Sequence, residues 1–189
     1  MSSPDWIRKS HEYIYEAKNA DEISVVKDRV RLPSGKEFDY VYVDCPYEVT
    51  YVVGIDSTSQ IVLISQHRYL IDRFIYEIPA GSPDLGESLE DGARRELREE
   101  TGCEADRLIK LASFYSSVGM TNQLCHIYLG LLKPKQHDQQ LEVSEIISTR
   151  RIPFQRAVEM AENGEIMNVG AAYGILLASA WLRNNPEAI

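Results

Sequence analysis

Aromatic side chains at Phe38, Tyr40 and Tyr42 alternate with Asp39, Val41 and Val43, a period of two that places them on one face of an extended strand. An apolar stretch at 23–32 precedes it, and Pro33-Ser34-Gly35-Lys36 stands between the two, so the pair predicts a β-hairpin around a Pro/Gly turn. Residues 6–18 read as an opening helix. Residues 1–46 are thus expected to form a small N-terminal unit of helix and hairpin, ending near Cys45-Pro46. A hairpin alone is marginal in water, so this unit needs the main domain or a second subunit to pack on.

Apolar strand patterns follow at 49–55, 61–66 and 74–78, then a helical pattern at 88–101. Further strands are predicted at 108–115, 124–132 and 145–150, with a polar loop at 133–141. Pro153 suits the first turn of a helix carrying Phe154, Ala157, Val158 and Ala161 at helical spacing, and Asn163-Gly164 supplies its stop. A last apolar helix spans 169–182. Strands and helices mix without strict βαβ alternation. The pattern predicts an α+β fold, a helix/sheet/helix sandwich over residues 47–189 with the small β unit in front.

Composition narrows the function classes. A chain of 189 residues with 44% hydrophobic content can bury a full core. Cys45, Cys103 and Cys125 are odd in number and scattered, which suits neither a disulfide framework nor a zinc site and points to a reducing, cytoplasmic compartment. Charges at Asp5, Arg8, Lys9, Glu12, Glu16 and Lys18 leave no room for a signal-peptide core, and the apolar run at 171–182 is too short to span a bilayer. The net charge of −9 argues against nucleic acid and anionic membranes as partners. A polyanionic substrate would need a cation to mediate.

That cation has a candidate site on the helix at 88–101. On a wheel with Glu96 at zero, Leu89 falls at about +20°, Glu100 at about +40°, Ala93 at about +60° and Leu97 at about +100°. Two carboxylates therefore lie within the apolar stripe. Arg94 and Arg98 point away, whereas Glu96 and Glu100 have no basic residue three or four positions off. Their mutual repulsion and the helix dipole each cost a few tenths of a kcal/mol, but burial of an uncompensated carboxylate costs several. An oxygen-ligated divalent cation such as Mg²⁺ or Mn²⁺ would remove all three costs. Glu99, at about −60° on the same wheel, serves the edge of such a site or pairs with Arg95.

Gly81, five residues, Glu87, seven residues, Arg95-Glu96, Leu97, one residue, Glu99-Glu100, one residue and Gly102 together resemble the signature of the Nudix hydrolases. Cys103 stands where the family has an aliphatic residue, a departure that touches packing only. The stretches "QHRYLIDRFIYEIPAG", "VRLPSGKEFDYVYVD" and "GEI" at 164–166 are similar to the branch that hydrolyses ADP-ribose and nucleotide sugars. The resemblance implies a divalent-metal requirement, a nucleotide-sugar substrate, and a homodimer exchanging its N-terminal β units. By position it implies Glu96, Glu99 and Glu100 as metal carboxylates, Glu99 also counting among the catalytic acids, with the carbonyl of Ala80 as a further ligand. Ser82, beside the same turn, is a candidate substrate contact. Glu87 and Arg95 look structural, and Ser88 is a candidate N-cap.

A pyrophosphate resists hydrolysis because its oxygens repel a nucleophile, so a base must activate water once charge is neutralised. The branch places a loop glutamate there, and "QQLEVSEII" offers Glu142 and Glu145, on opposite faces if the segment is extended. Glu142 is favoured as the one nearer the loop. Arg68 is a candidate contact to phosphate or the terminal sugar, since its fork suits bidentate recognition. Tyr13, Tyr15, Phe38 and Tyr40 are candidates to stack on a base, and His126 reads as a satisfied core histidine. ADP-ribose enzymes of the branch carry a proline near Ser116-Ser117-Val118-Gly119, and its absence makes GDP-mannose or another hexose nucleotide an alternative substrate. Other diphosphatase substrates, such as coenzyme A, NADH or an mRNA cap, and a non-catalytic ligand-binding module, are the remaining alternatives.

Overall fold

The computed structural model describes residues 5–16, 18, 23–141 and 147–188. The chain divides into two compact units: Met1–Glu48 with Tyr115–Leu124, and Val49–Phe114 with Cys125–Ile189.

In the first unit β1 (Ile7–Tyr15), β2 (Ser24–Arg31) and β3 (Glu37–Asp44) form an antiparallel sheet in the order β1-β2-β3. The hairpin of β2 and β3 is as read, with Gly35 at φ +83° donating its N–H to the Leu32 carbonyl at 2.9 Å. Residues 7–15, expected as helix, are instead a strand. The reason is pairing: Glu12 stands opposite Lys27, with their charges 2.6 Å apart, and His11 opposite Asp28 at 2.7 Å. Such cross-strand pairs together with β-branched and aromatic side chains favour the sheet. No side chain of β1 is buried within the chain, so the strand is held by its pairing with β2 rather than by a core of its own. On β3 the aromatic row is realised, with Phe38 to Tyr40 at 6.1 Å and Tyr40 to Tyr42 at 6.3 Å between ring centres, and Trp6 edge-on to Phe38 at 5.7 Å.

The second unit holds a mixed sheet in the order β10-β5-β4-β9-β8, with β6 added to β5 and β7 to β4. Its strands are β4 (Val49–Ile55), β5 (Gln60–Arg68), β6 (Arg73–Glu77), β7 (Ala80–Gly81), β8 (Cys103–Tyr115), β9 (Leu124–Gln136) and β10 (Ile147–Pro153). Strands β4 and β9 run parallel. Period-two alternation separates two cores. Val53, Ile55, Ile61, Leu63, Ile127 and Leu129 pack with α2 (Phe154–Glu162) and α3 (Val169–Asn184), through Ala157, Val158, Ala171 and Ile175. Val52, Val62, Tyr128 and Leu132 pack with Ala93 and Leu97 of α1 (Leu89–Thr101). This is the helix/sheet/helix sandwich, and each fully buried aliphatic side chain stabilises it by about 1.5–3 kcal/mol.

Most boundaries move by one to three residues, and those at β8, β9 and Pro153 have a definite cause. Strand β8 begins at Cys103 and β9 runs on to Gln136, because β-pairing extends both beyond their apolar segments. Pro153 ends β10 opposite Gln60 and stands one residue before α2 rather than within its first turn. The two-residue β7 is too short to leave a periodic signal. Among the described residues no helix is long and apolar enough to cross a membrane.

Candidate active site

Helix α1 is built as its sequence dictates. Ser88 is the N-cap, its hydroxyl accepting the Asp91 N–H at 3.1 Å, and Gly102 ends the helix at φ +69° with its N–H on the Arg98 carbonyl at 2.8 Å. Burial of Ala93 and Leu97 orients the helix and carries the acids with it. Glu100 is 3% exposed, whereas the side chains of Glu96 and Glu99 keep 14% and 28% of their surface. Glu96 and Glu100, which the wheel sets together within the apolar stripe, are both more covered than Glu99, and Glu100 lies deeper than Glu96.

These acids meet a turn of the sheet. Glu100 Oε2 accepts the Ala80 N–H at 2.9 Å, and β7 is fixed on β4 by pairing of Thr50 with Gly81 and Tyr51 with Ala80. The Thr50 hydroxyl adds a bond to the Gly81 carbonyl at 3.1 Å. A Cβ on Gly81 would lie 2.2 Å from the Glu96 carboxylate, so only glycine leaves that side chain its place.

Arg95 corrects the view that Glu96 has no partner on its own helix. Its Nη1 donates to Glu96 at 2.8 Å and to Glu99 at 3.0 Å, while Nη2 reaches Glu87 at 3.1 Å and the Ser82 carbonyl at 2.8 Å. The wheel considered neighbours three and four residues away, but a long guanidinium also folds back on the adjacent residue. Burial lowers the Arg95 pKa, yet bonds to Glu87, Glu96 and Glu99 outweigh it and hold the group above the ordinary arginine range. Burial likewise raises Glu87, but the Asp84 N–H and Arg95 pull its carboxyl below 4.5. Arg95 and Glu87 thus tie the 82–87 loop to α1, as their structural reading anticipates. Among the described residues no three acidic, histidine or cysteine side chains converge at metal-ligand separation.

Ser82 is half-buried, and its carbonyl is the Arg95 acceptor. Arg68 ends β5 with its Nε 2.9 Å from Glu77 Oε1 and its Nη2 bonded to Glu77 Oε2. Glu142 and Glu145 lie outside the described residues. His126 is 3% exposed with Nδ1 2.8 Å from the Ser113 hydroxyl, which is the satisfied core histidine expected. Sequence reasoning assigned no role to Glu77, 2% exposed, or to Asn168, whose Nδ2 donates to Glu77 at 3.2 Å. A polar residue directly before an apolar helical run was the available signal for Asn168 as a cap.

Residues 47–168 match the NUDIX domain. The chain is 32% identical over 165 residues to an ADP-ribose pyrophosphatase of Bacillus subtilis (strain 168), covering 87% of each sequence. It is 28% identical over 174 residues to a GDP-mannose pyrophosphatase of Yersinia pestis (strain Pestoides F), covering 88% of this chain and 81% of that protein. A crystal structure of an ADP compounds hydrolase superposes with a TM-score of 0.84 at 19% identity, covering 98% of both chains, which supports the fold. Signature, sandwich and sequence matches converge, and the chain belongs to the Nudix family as a hydrolase similar to its ADP-ribose pyrophosphatases.

Proposed function

We propose that the protein hydrolyses the pyrophosphate bond of ADP-ribose or another nucleotide sugar, releasing a nucleoside monophosphate and a sugar phosphate, with Mg²⁺ or Mn²⁺ as the cation. The observation that carries the reading is the placing of Glu96 and Glu100 of α1 against the Ala80–Gly81 turn, with Glu99 joined to Glu96 through Arg95. Carboxylate and carbonyl oxygens are the donors that hard divalent cations select, and the cradle at Gly81 accepts a carboxylate that a side chain there would expel. Donors of this kind suit a divalent cation, which Glu96, Glu99, Glu100 and the Ala80 carbonyl would hold once the carboxylates, now spread between Arg95 and the Ala80 N–H, are drawn together around it. Bound there, the cation supplies charge neutralisation of the pyrophosphate and a water of lowered pKa.

The chain's own groups do the rest. Arg68 offers guanidinium N–H groups to phosphate or terminal-sugar oxygens, and Ser82 contacts substrate beside the turn. Glu142 or Glu145 removes the proton from the attacking water. Tyr13, Tyr15, Phe38 or Tyr40 of a second copy's N-terminal unit stacks on the nucleobase, because rings of this kind stack on any base face. Exposed Trp6, Ile7, Tyr13, Ile14 and Tyr15 in the N-terminal unit support pairing of two copies through that unit. Net charge and free cysteines support a small-molecule substrate in the cytoplasm rather than a nucleic acid or membrane partner.

Val118 stands where a proline marks ADP-ribose enzymes, and similarity to a GDP-mannose pyrophosphatase favours that hexose nucleotide as the second reading. A panel of ADP-ribose, ADP-glucose, GDP-mannose, UDP-glucose, NADH and coenzyme A, each with Mg²⁺, with Mn²⁺ and with chelator, tests both. Cation-dependent release of a nucleoside monophosphate from ADP-ribose supports the first reading, and a faster GDP-mannose reaction replaces it with the second. Hydrolysis unaffected by chelator overturns the metal assignment.

A further inference from the structure

We infer that Glu77 and Asn168 are positioning residues that hold Arg68 ready for substrate, joining the start of α3 to the substrate-facing end of β5. The inference deepens the functional reading above and rests on Arg68 as a substrate contact. Its basis is an unequal pair: the Arg68 side chain is 45% exposed, whereas that of its partner Glu77 keeps only 3% of its surface. Nε and Nη2 of Arg68 bind the two oxygens of Glu77. Of the five N–H donors of a guanidinium this arrangement uses one on Nε and one on Nη2, leaving the two of Nη1 and the second of Nη2 for another oxyanion. A bidentate grip of this kind removes rotational freedom from a long side chain before any ligand arrives.

A carboxylate as deeply placed as Glu77 requires further hydrogen bonds beside its charged partner Arg68, and one comes from the neutral amide Nδ2 of Asn168. The orientation of that amide is not arbitrary. Asn168 Oδ1 accepts the Ala171 N–H at 3.0 Å and caps α3, so Nδ2 faces Glu77; the flipped amide would set oxygen against carboxylate and NH₂ against N–H. The cap itself is anchored: Gly170 and Ala171 are buried, and a Cβ on Gly170 would lie 2.6 Å from the Tyr51 ring. Packing of α3 thus locates Asn168, Asn168 orients Glu77, and Glu77 aims Arg68.

The test is a mutant cycle on the purified full chain, hydrolysing ADP-ribose with Mg²⁺, or GDP-mannose if that is the faster substrate. Asn168→Ser keeps a hydroxyl that can cap α3 but is too short to reach Glu77, so the fold is retained while the link is cut. Asn168→Ser is expected to raise KM about three- to tenfold with kcat unchanged, the range for releasing one immobilised side chain. Glu77→Gln is expected to raise KM in the same direction. In an Arg68→Ala background, itself at least about tenfold weaker in KM, Asn168→Ser should have no further effect. An unchanged KM for Asn168→Ser, or an equal increase with and without Arg68, overturns the positioning role. An unchanged KM for Arg68→Ala instead overturns the reading of Arg68 itself.

Discussion

Gly81 and Glu96 approach so closely that a methyl group on the first would stand 2.2 Å from the carboxylate of the second. The obstructed atoms are the end of a flexible side chain, so Gly81→Ala should displace Glu96 and leave the backbone in place. Its melting temperature should stay within about 4 °C of the parent, while kcat/KM falls at least about tenfold. Calorimetry and steady-state kinetics on the same preparation separate the two effects. Parent-level activity would remove Glu96 from the chemistry.

Glu100→Gln exchanges a buried carboxylate for an amide whose oxygen can still accept the Ala80 N–H. Folding stability without added metal should therefore change by about 1 kcal/mol or less. Cation-dependent hydrolysis should drop by at least about a hundredfold, because the charge that attracts the ion is gone. Urea melts in chelator and rate assays across a Mg²⁺ series check the two halves of this prediction.

Arg95→Gln leaves Glu87, Glu96 and Glu99 without their shared cation. The group retains partial exposure, so the expected loss is about 1–3 kcal/mol rather than the full penalty of a buried broken pair, read from urea midpoints. Mg²⁺ should recover part of that loss, since binding to the folded state alone adds stability.

Glu87 has its carboxyl pKa lowered in the folded state, the opposing push of burial being outweighed by the Asp84 N–H and Arg95. Its stabilising effect is therefore complete above the unfolded carboxyl value of about 4.3 and is lost as pH falls through the lower folded value. The stability gap between parent and Glu87→Gln should shrink from about pH 6 to about pH 3. A gap that stays constant across that range would show that Glu87 acts through packing.

Tyr51 shows the opposite sign, its hydroxyl pushed by burial from 10.0 to about 12. The contribution is complete below the unfolded value and is lost as pH rises from about 10 to about 12, amounting to roughly 2–3 kcal/mol at most. Tyr51→Phe should flatten this alkaline loss in melts recorded across the same interval.

The disposition of the acids on α1 was legible in the chain because angular position along a helix follows from covalent geometry and a repeat of about 3.6 residues. Ala93 and Leu97 pin that helix to the sheet, and Glu100 and Glu96 turn inward as a consequence. The caps at Ser88 and Gly102, the hairpin around Gly35 and the alternation that separates the two cores are local or periodic in the same sense. Tertiary structure alone decided which distant groups meet. Residues 7–15 became a strand because β2 supplied Lys27 and Asp28 opposite Glu12 and His11, a choice that propensity within the segment does not contain. Arg95 had several acids within reach and settled on those that loop packing brought to it. Glu77 and Asn168 are 91 positions apart, and their bond exists because the sheet and α3 share one core. Periodicity specifies direction within an element, whereas a contact between elements depends on how the whole chain closes its loops and buries its apolar faces.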